Sequence, residues 1–303
     1  MLATSSKKVR VTPGKVFHDI SLKQFNCWRV GGNAKTLYMP TNIEDLQNFL
    51  ARIDNNEQII WIGLGSNLLI RDNGVAGTVI ITHPALTDMQ QISETKVQAL
   101  SGTTCAAFAR FSVKHNLTGG EFFAGIPGTI GGALAMNAGA FKGETWDAVT
   151  TVTTIDRQGK LHIRHPEDFN IAYRHVSSKN HNQQEWFVSA TFDFKVADKQ
   201  QNGLEKIKTL LQTRALSQPI GKPSCGSVFK NPEGDYAARL IEQAGLKGCA
   251  IGNARVSKKH ANFIINEGGA TASDIEILMM TVQKIVYEKF EIKLIPEVCV
   301  IGE

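Results

Sequence analysis

The stretch "FFAGIPGTIGGALAMNAGA", from Phe122 to Ala140, decides how this chain is read. Gly125, Gly128, Gly131, Gly132 and Gly139 stand there among small apolar residues, with Asn137 near the end. Glycine gives up more entropy on folding than any other residue. A cluster of it therefore marks backbone at positive φ, or backbone lying close against something. Ile126, Ile130, Leu134 and Met136 break any three-residue period, which excludes a collagen-like reading. Two readings stand: a tightly packed turn between core elements, or backbone laid against a ligand.

Two further glycine loops precede it. "WRVGGNAK" sets Gly31 and Gly32 after Arg29 and Val30, and "GLGSNLLI" sets Gly63, Gly65, Ser66 and Asn67 after a strand-like run. The second begins like a dinucleotide fingerprint, but Leu68 holds the third glycine position. Apolar Leu68, Leu69 and Ile70 then follow where a helix should open, so the Rossmann match is poor. Successive N–H groups in tight glycine turns form concave anion nests that no side chain obstructs. Three such loops in one half of a chain point to a nucleotide or dinucleotide.

The 303 residues are 42% hydrophobic and 20% charged, an ordinary globular composition of about two domains. The net charge of +5 is scattered, with doublets only at Lys7-Lys8 and Lys258-Lys259. That argues against a nucleic-acid binder, which carries a dense basic stripe. The five cysteines are far apart and form no C-x-x-C, so reduced thiols are expected and neither a disulfide frame nor a metal site. His162 and His165 read as surface residues. The opening "MLATSSKKVRVTPGK" lacks the apolar core of a signal peptide, and no apolar run approaches a membrane span. A soluble, cytoplasmic protein is expected, a monomer or weak oligomer.

Short strands and helices alternate in the first half. A helix is expected over "TNIEDLQNFL", opened by a Thr41/Glu44 capping box, and another over "CAAFARFSVKHN". "QIIWIG", "VAGTVII" and "VQALSG" read as strands. After the glycine cluster come "AVTTVTTIDRQGKLHI", a strand, turn and strand, and the alternating strand "WFVSATFDFKV". "KQQNG" reads as a linker, with a domain boundary near Asp198 before the helix "LEKIKTLLQTRAL". A helix stopped by Gly245, the strand "HANFIINEGG", and a helix capped by Ser273 and Glu276 follow. "EIKLIPEVCVIG" closes the chain as a strand, with Ile295, Glu297, Cys299 and Ile301 on one face.

A carboxylate at Glu297 among apolar neighbours costs free energy unless it is paired or used. An edge-strand Glu paired with a lysine would explain it as well. Ser227 in "CGSVFKNP", with Lys230 and Asn231 nearby, could be a turn residue, and Arg174 in "IAYRHVSS" a surface arginine. No Ser-His-Asp or Cys-His arrangement emerges.

Together, "RVGG", "GLGSNLLI", "GGEFFAGIPGTIGGALAMNAGA", "AYR", "PSCGSVFKNP", "KHANFIIN" and "PEVCVIG" resemble, in order and spacing, the UDP-N-acetylenolpyruvoylglucosamine reductase (MurB) family. The resemblance runs from about Phe25 to Gly302. It implies an α+β fold: a two-subdomain FAD-binding region of the vanillyl-alcohol-oxidase (PCMH) type and a C-terminal α+β substrate domain. The expected division is an extension over 1–20, subdomains over 21–85 and 86–198, and the substrate domain over 199–303. The implied activity is NADPH-dependent reduction of an enolpyruvyl ether on UDP-N-acetylglucosamine to UDP-N-acetylmuramate, in peptidoglycan precursor synthesis. By resemblance Ser227 is the proton donor, and Arg174 and Glu297 stabilise the developing enolate. Tyr173, Lys230 and Asn231 lie near the UDP-sugar. The FAD cradle comprises Arg29, Val30, Gly31 and Gly32; Gly63, Gly65, Ser66 and Asn67; and Gly125, Ile126, Pro127, Gly128, Gly131, Gly132, Asn137 and Gly139. No metal is implied.

Only about a dozen residues separate Arg174 from "WFVSATFDF". The chain thus resembles the shorter class of the family, without the inserted loop whose tyrosine covers the substrate. Related flavin oxidases tether flavin through a histidine after paired glycines. Asn33 stands there instead, so non-covalent FAD is expected. A flavin oxidase of the same fold and a non-catalytic nucleotide-binding module are the rival readings.

Overall fold

The computed structural model describes residues 11–180, 184–198 and 202–303. The first sheet is built from β1 (Val16–Ser21), β2 (Asn33–Tyr38), β3 (Ile59–Ile62) and β5 (Val75–Ile81), in the order β1-β2-β5-β3. β5 runs parallel to both β2 and β3, which explains its near-continuous apolar sequence: it is covered on both faces. β1 lies antiparallel on the edge, so the last five residues of the expected N-terminal extension, 16–20, belong to this sheet. Residues 1–10 lie outside the described part.

Helix α1 (Ile43–Leu50) packs Leu46 and Leu50 under the sheet. Its N-cap is Asn42, one residue after the expected Thr41, and Asn42 accepts from the Asp45 backbone N–H at 2.8 Å. Thr41 is drawn in as well, donating both its N–H and its hydroxyl to the Asp45 carboxylate.

The second sheet is antiparallel throughout, ordering its strands 161–164, 149–156, 185–193, 96–100 and 89–91. Two helices lie against it, α2 (Cys105–Lys114) and α3 (Ile130–Met136), around a core of Phe108, Phe123, Phe192 and Leu134. Helix α4 (Gly203–Ser217) joins this same core through buried Ile207. An ion pair reinforces it, Lys206 reaching the buried Glu121 at 3.1 Å. The expected boundary near Asp198 would instead hand α4 to the last domain. The expected linker at 199–201 lies outside the described residues.

The C-terminal domain sets α5 (Ala237–Gln243) and α6 (Ala272–Phe290) around a three-stranded sheet of 250–251, 254–256 and 264–266. The cap of α6 is Thr271 with Asp274, two residues before the expected Ser273 and Glu276. Glu276 is taken elsewhere, by Arg71 at 2.8 Å. The closing strand is also shorter than expected, covering only Cys299–Ile301. It pairs in parallel with β4 (Leu68–Ile70) of the first subdomain. The preceding segment does not alternate: Ile295 is exposed, while Leu294 and Val298 are buried.

A second tie fastens the two ends. Trp28 is fully buried in the C-terminal core, donating its indole N–H to the Ile264 carbonyl at 2.7 Å. Asn266 returns a bond to the Trp28 carbonyl at 2.8 Å. Trp28→Ala should therefore cost about 3–5 kcal/mol of stability, as truncation of a buried large aromatic does, in urea unfolding followed by far-UV circular dichroism. A loss below about 1 kcal/mol would mean the tie does not hold the C-terminal domain.

Candidate active site

Between the two glycine-bearing subdomains and the C-terminal domain opens a cavity of about 660 Å³. An adjoining cavity of about 390 Å³ shares Trp61, Gly63, Thr129, Gly132 and Ala135 with it. Ser227, Arg174 and Glu297, 123 positions apart at the extremes of the pair Arg174–Glu297, all line the larger one.

Each is placed by its own local structure. Arg174 sits at φ 52° in the two-residue turn between strands 169–172 and 175–178. That conformation disfavours a non-glycine residue by roughly 1 kcal/mol, so the position is held for its side chain. The guanidinium donates from Nε to Glu297 Oε1 at 3.1 Å, from Nη1 to the Asn137 carbonyl at 3.2 Å, and from Nη2 to the Gly139 carbonyl at 3.1 Å. Three of its five N–H donors are thus engaged, leaving two for a ligand. Ser227 follows Gly226, whose φ of 74° turns the loop. Asn262 clamps that loop from both sides, accepting from the Phe229 N–H and donating to the Phe229 carbonyl. The Glu297 N–H donates to the Val228 carbonyl at 2.8 Å, which locks the serine loop to the glutamate segment. Burial pushes the Glu297 carboxyl above its ordinary value, against the pull of Arg174 and Lys230.

Asn137 is not a cavity residue. It caps α3 in the left-handed conformation at φ 44°, and it is buried. Its amide donates to Glu144 Oε2 at 2.7 Å and to the Ala172 carbonyl at 3.3 Å, while its Oδ1 accepts from the Trp146 N–H. The expected cofactor contact is replaced by a positioning role, because its side chain is spent holding the backbone that carries Arg174.

The "RVGG" loop also lies apart from the cavity lining. Val30 is buried in the C-terminal core, and a side chain at Gly31 or Gly32 would strike the backbone of Ile70 or Asp72. These glycines serve packing, as do Gly63 against Thr129, Gly65 against Phe25 and Gly131 against Ser101. Arg29 holds φ 61° in the same turn and is exposed. Gly63, Gly65, Ser66, Asn67, Gly125, Ile126, Pro127, Gly128 and Gly139 do line the larger cavity, and Gly131 the smaller. Asn67 spends its amide on the Glu297 carbonyl at 2.9 Å. Gly132 differs from all of these. It lines both cavities, and a methyl group there would meet no protein atom closer than 3.7 Å.

Tyr173, Lys230 and Asn231 gather beside Arg174 without lining the cavity. The guanidinium lies 4.8 Å from the Tyr173 ring centre, and Lys230 Nζ donates to the Arg174 carbonyl at 3.1 Å. Asn231 uses its Oδ1 to accept from the Ala237 N–H at the start of α5.

Sequence reasoning missed Arg214. It lines the larger cavity from the end of α4, half-buried, with its Nε on Gln218 at 2.7 Å and no acid paired with it among the described residues. Burial alone pulls its guanidinium below its ordinary value. A desolvated, unpaired cation at a cavity wall fits an anionic ligand. Its only sequence signal is a single arginine on a helix without an acidic residue at i±4.

The FAD test is met by this lining. The walls are glycine backbone and apolar surface, Arg214 offers charge for a phosphate, and the Trp61 Nε1 and Ser101 Oγ of the smaller cavity are buried without a partner. Both are ready to bond a bound group.

Residues 34–163 match the FAD binding domain family, and residues 218–301 match the family described as UDP-N-acetylenolpyruvoylglucosamine reductase, C-terminal domain. The UDP-N-acetylenolpyruvoylglucosamine reductase of Alkalilimnicola ehrlichii is 50% identical over 294 residues, covering 97% of each chain. That of Legionella pneumophila is 50% identical over 299 residues, 98% of this chain and 96% of its own. This chain belongs to the UDP-N-acetylenolpyruvoylglucosamine reductase family. The crystal structure of the Thermus caldophilus reductase (MurB) superposes with a TM-score of 0.79 at 30% identity, over 95% of this chain and 98% of that one. No helix among the described residues is long and apolar enough to cross a membrane.

Two outcomes follow for the family member in hand. Gly132→Val should weaken FAD binding at least ~10-fold in fluorescence titration, while the apoprotein stays as stable, since valine is no worse than glycine in a helix. Unchanged FAD affinity would remove Gly132 from the cradle. For Glu297, a folded value raised above the ordinary 4.5 means that the native state binds its proton more tightly than the unfolded chain. Its share of stability therefore falls as pH rises through that window. Glu297→Gln should gain stability relative to the parent as pH rises above 4.5 in denaturant titrations. The opposite trend would show Arg174 outweighing burial.

Proposed function

We propose that this chain reduces the enolpyruvyl ether of UDP-N-acetylglucosamine enolpyruvate to UDP-N-acetylmuramate in the cytoplasm, with NADPH as reductant. The convergence of Ser227, Arg174 and Glu297 on one glycine-walled cavity carries this reading. FAD, when bound, supplies the redox chemistry, accepting hydride from NADPH and passing it to the enolpyruvyl methylene carbon. Gly63, Gly65, Ser66, the Gly125–Gly128 loop and Gly132 would hold it, with Arg214 facing phosphate charge.

Hydride addition leaves negative charge on the neighbouring carbon and its carboxylate. The two unengaged N–H groups of Arg174 meet that charge from a fixed position, so little reorganisation accompanies the reaction. Glu297 fixes the guanidinium plane through Nε, and its raised proton affinity lets it share a proton with the enol oxygen. Ser227 gives its hydroxyl proton to the carbon. A hydroxyl is a weak acid, but an enolate is basic enough to take the proton. Tyr173, Lys230 and Asn231 stand at the rim beside Arg174, where the UDP-sugar would enter. The packing of α4 on the second subdomain supports a boundary between the flavin region and the substrate domain near Gln218.

The reading is tested anaerobically with FAD-loaded protein. NADPH should bleach the flavin band, and UDP-N-acetylglucosamine enolpyruvate should restore it. Bleaching without return would reject the acceptor named here. Ser227→Ala should bleach at the parent rate but recover about 10²–10⁴-fold more slowly, the usual worth of a positioned acid. Parent-like recovery would reject the proton-donor assignment.

A further inference from the structure

Two thiols that the chemistry above leaves unused meet at the cavity wall, which Cys225 itself lines, on one shelf of carbonyl oxygens. Cys27 donates its backbone N–H to the Gly65 carbonyl at 3.1 Å, and its Sγ lies 3.8 Å from the Leu64 carbonyl. Cys225 reaches the shelf from the C-terminal domain, with its Sγ 3.6 Å from the Gly65 carbonyl and 3.4 Å from that of Leu68. The thiols also hydrogen-bond to each other, so the Cys225 proton has three acceptors within reach: two carbonyls and the Cys27 sulfur. Both side chains pack in one apolar cluster, which fixes the pair against drift.

We propose that Cys27 and Cys225 form a dithiol site that a peroxide converts into a disulfide, tying the Trp28 segment to the Ser227 loop. The site is asymmetric. The hydrogen bond from Cys225, aided by the Arg29 charge, lowers the pKa of Cys27, whereas burial raises that of Cys225. Cys27 is half-buried, within reach of a small oxidant, and is the thiolate that reacts first. Its sulfur attacks one peroxide oxygen, the O–O bond breaks, and the departing hydroxide takes a proton to become water. Cys225 then attacks the resulting Cys27 sulfenic acid. The S–S bond forms as the S–O bond breaks, and the proton of Cys225 leaves with the second hydroxide as water. Two thiols and one hydrogen peroxide give one disulfide and two waters.

The other cysteines are placed differently. Cys105 is fully buried in the second subdomain's core, and Cys249 sits on the short strand 250–251 side of the C-terminal sheet. Cys299 is exposed and lines the cavity, which makes it the competitor to be tested.

The experiment treats the full-length, FAD-loaded protein with one equivalent of hydrogen peroxide and records its intact mass. The expected result is loss of two hydrogens with no oxygen gained, reversed by dithiothreitol. A non-reducing tryptic digest should then join peptide 24–29 to peptide 215–230, the latter left whole because Lys222 precedes proline. Cys27→Ser should keep its two hydrogens under the same treatment. Oxygen gain without linkage, a bridge running through Cys299, or two hydrogens lost by Cys27→Ser as fast as by the parent would each overturn the proposal.

Discussion

The run from Gly63 to Ile70 is the constraint on which the rest of the molecule depends. At its start the backbone lies so close to Thr129 that Gly63 can carry no side chain, which joins the first subdomain to the second. At its end Leu68, Leu69 and Ile70 pair with the closing strand of the chain. Between them Asn67 donates to the Glu297 carbonyl and accepts from the Cys299 N–H, while Gly65 accepts from Cys27. Eight residues thus hold three units in register. Because backbone groups make most of these contacts, few side chains can relax to absorb a displacement.

The cavity arginine, Arg174, follows the same logic. Arg174 is fixed less by an ion pair than by two backbone carbonyls at the end of α3, and the cap that presents those carbonyls is Asn137. An exposed Arg–Glu pair contributes little because two long side chains lose freedom to meet. Here the freedom is already lost: Arg174 and Glu297 are only 17% and 14% exposed, and each is anchored through its own backbone, Arg174 by its carbonyl on Lys230 and Glu297 by its N–H on Val228. The positive φ at Arg174 is the cost of aiming the side chain from a turn too short to bend otherwise.

Much of this was legible in the sequence where a segment's environment is uniform along its length. "VAGTVII" reads as a strand and is β5 to the residue, since burial on both faces demands unbroken apolar character. "CAAFARFSVKHN" likewise gives α2, opened by Thr104. What failed was whatever a distant residue decides. Glu276 fits a capping box three residues after Ser273, but Arg71, 205 positions away, claims it, and Thr271 with Asp274 caps instead. Glu297 reads as one member of a regular strand, yet Pro296 and the bridge to Phe229 end the alternation before it. Arg214 has no motif, because its meaning lies in the missing partner, and that is a property of the folded cavity.

The glycines show the same division within a single residue type. The run of five in nineteen residues and the two glycine loops before it read alike in the sequence, and the structure divides their glycines into two kinds. Gly31, Gly32, Gly63, Gly65 and Gly131 are glycine because another part of the protein occupies the space a side chain would need. At Gly132 that space is open toward the cavity, with no protein atom nearer than 3.7 Å to an added methyl group. The first kind brings three units close enough to enclose a cavity, and the second keeps the cavity open. Arg214 on the same wall is desolvated with no acid paired to it among the described residues, a setting that suits an anionic ligand.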